Sequence, residues 1–111
     1  MQALAEQIEY VGSRADAIIT DLGEATRHAP SSSRPATASD ALVNNAGVIR
    51  LGPIDGAATD QWREVIHTNV MGLLYCTRAA LPIMQAQGPG HIVNVSSMSG
   101  RHARTRTGVY T

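Results

Sequence analysis

The sequence contains no lysine and no phenylalanine; all nine of its basic residues are arginine. Chemistry that depends on a lysine, whether an imine or a proton relay, therefore cannot come from within these 111 residues. Aromatic side chains are scarce, with one Trp and three Tyr, and none interleaves with the Arg101–Arg106 run as in a nucleic-acid-binding patch. A single cysteine, Cys76, excludes an intrachain disulfide and fits a reducing, cytoplasmic compartment. No apolar run approaches the roughly 18–20 residues that span a bilayer. The opening residues place Glu6 and Glu9 in a helical pattern, where a secretion signal would have a basic start and an apolar core. The formal net charge is zero, which argues against nucleic acid, an anionic membrane surface or an acidic partner. His28, His67, His91 and His102 stand without ligand spacing or acidic and cysteine companions, so no metal site is expected.

What is present suits one small domain. Hydrophobic residues make up 43% of the chain, enough for a modest core. Leu4, Ile8 and Val11 repeat at helical spacing and Gly12 stops the helix. Ala17-Ile18-Ile19 reads as a short buried strand ending at Asp21. Residues 27–40 break the pattern: with Pro30, Pro35, a serine triplet and no large apolar residue, they cannot bury a face and read as an atypical Pro/Ser-rich loop. A second strand, Ala41-Leu42-Val43, runs into Asn44-Asn45-Ala46-Gly47. Gly52, Pro53 and Gly56 mark a loop, after which Thr59 or Asp60 is placed to cap a long helix. Its apolar positions are Trp62, Val65, Ile66, Val70, Leu73, Leu74, Thr77, Leu81 and Met84, giving one helix over residues 60–87. Ile92-Val93-Asn94-Val95 is a third strand, followed by a polar, arginine-bearing loop that leads to Tyr110. Strands alternating with helices predict an α/β fold with a parallel sheet.

Two groups of residues carry chemistry. Small residues and asparagines directly after the Ala41-Leu42-Val43 strand stand at the sheet end where open parallel sheets bind ligands. Ser97, just past the third strand, and Tyr110, thirteen residues on, form the second group. A hydroxyl there can hold a carbonyl oxygen, and a phenol can exchange a proton with it. Arg101, His102, Arg104 and Arg106 form a basic run that reads as a solvated loop, with an acidic substrate or phosphate as the sharper alternative. Cys76, beside Leu73 and Leu74, reads as a buried inert thiol, and Met71 and Met84 as filler.

Asn44-Asn45-Ala46-Gly47, Val93-Asn94-Val95-Ser96-Ser97 and Tyr110, in this order and spacing, resemble the short-chain dehydrogenase/reductase family. The resemblance covers most of the chain apart from residues 27–40. It implies an incomplete Rossmann-like, doubly wound parallel sheet holding roughly strands three to five of the family fold. It further implies NAD or NADP as cofactor and a small carbonyl or alcohol as substrate. By resemblance Asp21 contacts the cofactor's adenine, and Asn45, with Ala46 and Gly47, contacts the cofactor. Asn69, in Thr68-Asn69-Val70, holds a water in the proton relay; Ser97 orients the substrate, and Tyr110 is the acid/base. Residues 60–87 resemble the family's subunit-packing helix, so the parent protein is expected to be a homo-oligomer.

The pattern departs from the family in three places. No glycine-rich pyrophosphate loop precedes Asn45, residues 27–40 replace an amphipathic helix, and the lysine that follows the family's tyrosine is missing. A free phenol is only about 0.1% ionised at pH 7, and a nearby ammonium favours the ionised form. The expectation is a fragment of an active oxidoreductase. The alternative is a non-catalytic remnant or interaction module that packs through the long helix. The strand at residues 17–20, lacking its usual neighbours, is expected to leave the chain poorly folded or to pair with the strand at residues 41–44.

Overall fold

The computed structural model describes residue 7 and residues 41–111. The helix expected around Leu4, Ile8 and Val11, the strand at 17–20 with its pairing, Asp21 and the 27–40 stretch all lie outside the described residues.

Two short apolar segments form the sheet. Strand β1 (Ala41–Asn44) pairs in parallel with β2 (His91–Asn94), with Leu42 opposite Ile92 and Val43 opposite Val93. A parallel pair needs a crossover, and the helical stretch between the strands provides it. This is the expected α/β arrangement. The second strand begins at His91, one residue before the expected start. Val95 lies past its end but still donates its N–H to the Asn44 carbonyl at 2.9 Å. Asn44 and Asn94 face each other across the ladder. The Asn44 amide donates to Asn94 Oδ1 at 2.8 Å and to Thr77 Oγ1 at 3.2 Å, which ties the strand ends to the crossover.

The crossover is not the single regular helix expected over 60–87. Helix α1 (Thr59–Ile66) passes into a π-helical segment, His67–Gly72, and then into helix α2 (Leu73–Gln87). Such wide turns are rare and gather at functional sites, and this one carries Asn69. Nor do Thr59 and Asp60 cap α1. Ala58, in extended backbone, holds the cap position with no side-chain bond, and Thr59 is already helical. Asp60 still lies in the first turn, where its charge complements the helix dipole. Pro82 sits inside α2, where it removes one internal hydrogen bond. The helix ends at Gly88, whose φ of 118° belongs to glycine and whose N–H reaches the Met84 carbonyl at 3.1 Å.

The core is thin. Among the described residues Val65 and Met84 are the only buried apolar side chains, 2% and 5% exposed. Met84 is covered by the chain's return at Gly90, where an added Cβ would stand 3.2 Å from its Sδ and Cγ. Ile66, Val70, Leu74 and Leu81 on the helices and Val43, Val93 and Val95 on the sheet remain exposed. Complete parallel sheets are covered on both faces. With so few buried side chains, each matters. Met84→Ala is expected to lower the unfolding free energy by about 2–5 kcal/mol, as large-to-small core changes do. Urea titration followed by helical circular dichroism checks this, and a loss below about 1 kcal/mol would remove Met84 from the core.

Candidate active site

Beyond the carboxyl ends of β1 and β2 lies an open cavity of about 550 Å³, within the size range of small-ligand sites. Asn45, Ala46 and Gly47 line it from the turn after β1, Ser96 and Ser97 from the turn after β2, and Asn69 and Cys76 from the crossover. Tyr110 and Gly100 complete the wall. The structure thus gathers six of the seven expected site residues around one space, Asp21 lying outside the described residues.

The turn that carries Asn45–Gly47 is held from the helix. Asn69 Oδ1 accepts from the Val48 N–H at 2.8 Å, and Asn69 Nδ2 donates to the Val48 carbonyl at 2.8 Å. One side chain thereby mimics a strand neighbour for one residue of the loop. Gly47 lies close to this side chain: a Cβ there would stand 3.4 Å from Asn69 Oδ1, an ordinary van der Waals contact. A second tether is ionic: Arg50 Nε and Nη2 donate to the two Glu64 carboxylate oxygens at 2.7 and 2.5 Å. The pair is solvent-exposed, and the Glu64 hydrogen bond, then its charge, raises the Arg50 pKa further above its already high ordinary value. Its contribution is alignment of the loop on α1, since exposed pairs stabilise little.

Ser97 caps the 3-10 turn Met98–Gly100, its Oγ accepting from the Ser99 N–H at 3.2 Å. The cap uses the oxygen as acceptor and leaves the hydroxyl proton free to donate into the cavity. Tyr110 ends a second 3-10 turn, Gly108–Tyr110, with its N–H on the Thr107 carbonyl at 2.9 Å. Cys76 is half-buried against the cavity rather than lost in the core as its helix neighbours suggested. The basic run is exposed, and Arg101, Arg104 and Arg106 form no ion pair among the described residues. All nine acidic residues lie at or before Glu64, so the stretch from Val65 onward, which bears Ser97 and Tyr110, has none. Sequence reasoning missed Val48, which acts through its backbone, and Thr107, which is only 6% exposed. No group of His, Cys, Asp or Glu among the described residues could hold a metal ion, and no described helix is long and apolar enough to cross a membrane.

The profile of the family described as short chain dehydrogenase matches residues 1–111. The chain belongs to this family. An uncharacterized oxidoreductase of Staphylococcus haemolyticus is 39% identical over 72 residues, 65% of this chain and 31% of the relative. The NADP-dependent 3-hydroxy acid dehydrogenase YdfG of Salmonella typhi is 47% identical over 62 residues, 55% of this chain and 25% of the relative. Among solved structures, a gluconate 5-dehydrogenase from Burkholderia cenocepacia J2315 in complex with NADP and tartrate superposes with a TM-score of 0.82. It is 30% identical, and the match covers 97% of this chain and 44% of that one. The chain therefore spans between a quarter and a third of these curated relatives, and its structural neighbours are Rossmann-fold members of the same family.

The Asn69–Val48 pair is open to a direct test. Asn69→Ala removes two hydrogen bonds worth about 0.5–1.5 kcal/mol each and leaves part-buried backbone groups unpaired. Amide exchange at Val48 is expected to accelerate at least about tenfold, while exchange within α2 near Met84 stays unchanged. An unaltered Val48 rate would show that the loop is held by something else.

Proposed function

We propose that this site belongs to an oxidoreductase that transfers hydride between NADP(H), or NAD(H), and a small carbonyl or alcohol. The carrying observation is the convergence of Ser97, Tyr110 and the Asn45–Gly47 turn on one cavity beyond the parallel strands. The cavity fits the nicotinamide end of such a cofactor: Val48, Ile49 and Val95 give apolar wall, and Asn45, Ser97 and Tyr110 bring polar groups to it. When bound, the nicotinamide supplies or takes the hydride. Asn45, Ala46 and Gly47 are assigned to its contact, and Asp21 to the adenine end, as the family resemblance implies. The Ser97 hydroxyl donates to the substrate oxygen and fixes its place. The Tyr110 hydroxyl gives that oxygen a proton in reduction and takes it back in oxidation, so charge does not accumulate on the substrate. Asn69 keeps a second amide N–H beyond the one given to Val48, and we assign it to the water of the proton relay.

The substrate class to try first is the hydroxy acids. Relatives named for 3-hydroxy acids and gluconate support this, as do the three exposed arginines between Ser97 and Tyr110 with no acidic residue beyond Glu64. The reading includes a cytoplasmic location and no nucleic-acid or membrane partner, supported by the lone cysteine and the balanced charge. A second reading has its own observation. Ile66, Val70, Leu74 and Leu81 leave an exposed apolar row along the crossover, which suits a subunit-packing face in a homo-oligomer or a non-catalytic interaction module.

The two readings separate in an assay of the coding region read through on both sides of residues 1–111. Oxidation of 3-hydroxy acids with NADP is followed by nicotinamide absorbance. Tyr110→Phe and Ser97→Ala are each expected to lower kcat by ~10²–10⁴ while cofactor binding persists. Turnover unaffected by Tyr110→Phe would remove the phenol from the mechanism. A folded read-through protein that binds no nicotinamide cofactor would leave the interaction module.

A further inference from the structure

Thr107 is the single buried polar side chain among the described residues, although it follows six consecutive exposed positions from Arg101 to Arg106. Its hydroxyl is fully committed. Oγ1 donates to the Arg104 carbonyl at 2.6 Å and also lies in hydrogen-bond contact with Thr111 Oγ1. A hydroxyl has one proton, and the carbonyl can only accept, so Thr111 must be the donor in the second bond. The Thr107 carbonyl meanwhile accepts from the Tyr110 N–H at 2.9 Å. Tyr110 is thus tethered to Thr107 through its own backbone and through the side chain that follows it.

This segment crosses the loop after β1 at close range. The Gly52 N–H donates to the Arg106 carbonyl at 2.8 Å, and a Cβ on Gly108 would stand 2.8 Å from the Gly52 carbonyl oxygen. That oxygen is backbone and cannot swing aside, so only glycine permits the crossing. Both flanking residues take left-handed backbone, Arg106 at φ 65° and Gly108 at φ 35°. A non-glycine residue stays in that region only when its surroundings hold it there, and such strain gathers at functional sites. The loop being crossed is the one that Asn69 and the Arg50–Glu64 pair fasten to the helix. A continuous set of bonds therefore runs from Asn69 through Val48 and Gly52 to the segment that carries Tyr110.

We propose that Thr107, with the Gly52–Gly108 backbone crossing, is a positioning device that sets the Tyr110 phenol over the cavity relative to Ser97. It rests on the hydride-transfer reading for the role of the phenol, but its geometry is testable without cofactor or turnover. The test is NMR of the full chain with ring-labelled tyrosine, the Tyr110 signals being those that Tyr110→Phe deletes. Thr107→Val keeps the volume and removes the hydroxyl; it is expected to move or split the Tyr110 ring signals and to leave those of Tyr75 in place. Thr107→Ser, which restores the hydroxyl, is expected to return them. Unmoved Tyr110 signals in Thr107→Val would overturn the proposal. If Thr107→Val shifts Tyr75 as well, the fold has been disturbed, and Thr111→Val reads the same tether from an exposed position. A shift confined to Tyr110 in that variant supports the device, and none overturns it. In the read-through protein Thr107→Val should lower kcat by roughly tenfold to a hundredfold with cofactor KM unchanged, and Thr107→Ser should recover it. Absence of turnover in the unsubstituted protein would count against hydride transfer and leave the NMR result standing.

Discussion

The rest of the site hangs on the reciprocal bond between the Asn69 side chain and the backbone of Val48. A loop after a parallel strand has backbone groups that no ladder satisfies, and leaving such groups unpaired is costly. Here an amide side chain, presented by a widened helical turn, supplies both missing partners at once. That bond aligns the Asn45–Gly47 turn with the helix. It also fixes the starting point of the loop that Gly108 later crosses. The cavity lies between the turns after the two strands, and the first of these loops is pinned three times, by Asn69, by the Arg50–Glu64 pair and by the Gly52–Arg106 bond.

Much of this was legible in the sequence, for local reasons. Leu42-Val43 and Ile92-Val93 are short apolar runs closed by asparagines, with β-branched residues in both, and that pattern favours strands. The helical spacing from Trp62 to Met84 was equally plain, and Met84 is indeed buried. Asn45 and Ser97 could be placed at one site because strand ends are where open sheets put ligands, and Tyr110 through its spacing from Ser97 and the family resemblance. What was hidden depends on contacts between distant residues. The π-helical segment has no composition of its own; its marker is the Asn69–Val48 contact, 21 residues apart. Thr59 and Asp60 carry good capping side chains, yet the chain enters the helix one residue earlier, through Ala58. Thr107 looked like one more polar residue in an arginine-rich loop, and only the adjoining glycine hinted at a crossing.

Among the described residues, the few buried apolar side chains and the exposed apolar rows leave the chemistry-bearing edge better defined than the interior. Val65 and Met84 are the only buried apolar side chains among the described residues, whereas the loop around the cavity carries two side-chain tethers and a backbone bond. Local hydrogen bonding can keep a site in shape where the hydrophobic contribution is small, because each bond fixes a direction while burial does not.

On the proposed function, this frame receives the nicotinamide end of the cofactor. The most direct measurement is titration of the isotopically labelled chain with NADP while backbone amide shifts are recorded. The account predicts movements gathered at Asn45–Val48, Ser97 and Tyr110, with Gln85–Gln87 at the far end of α2 unmoved. No movement at the Asn45–Val48 turn, or movement confined to the Arg101–Arg106 loop, would contradict it.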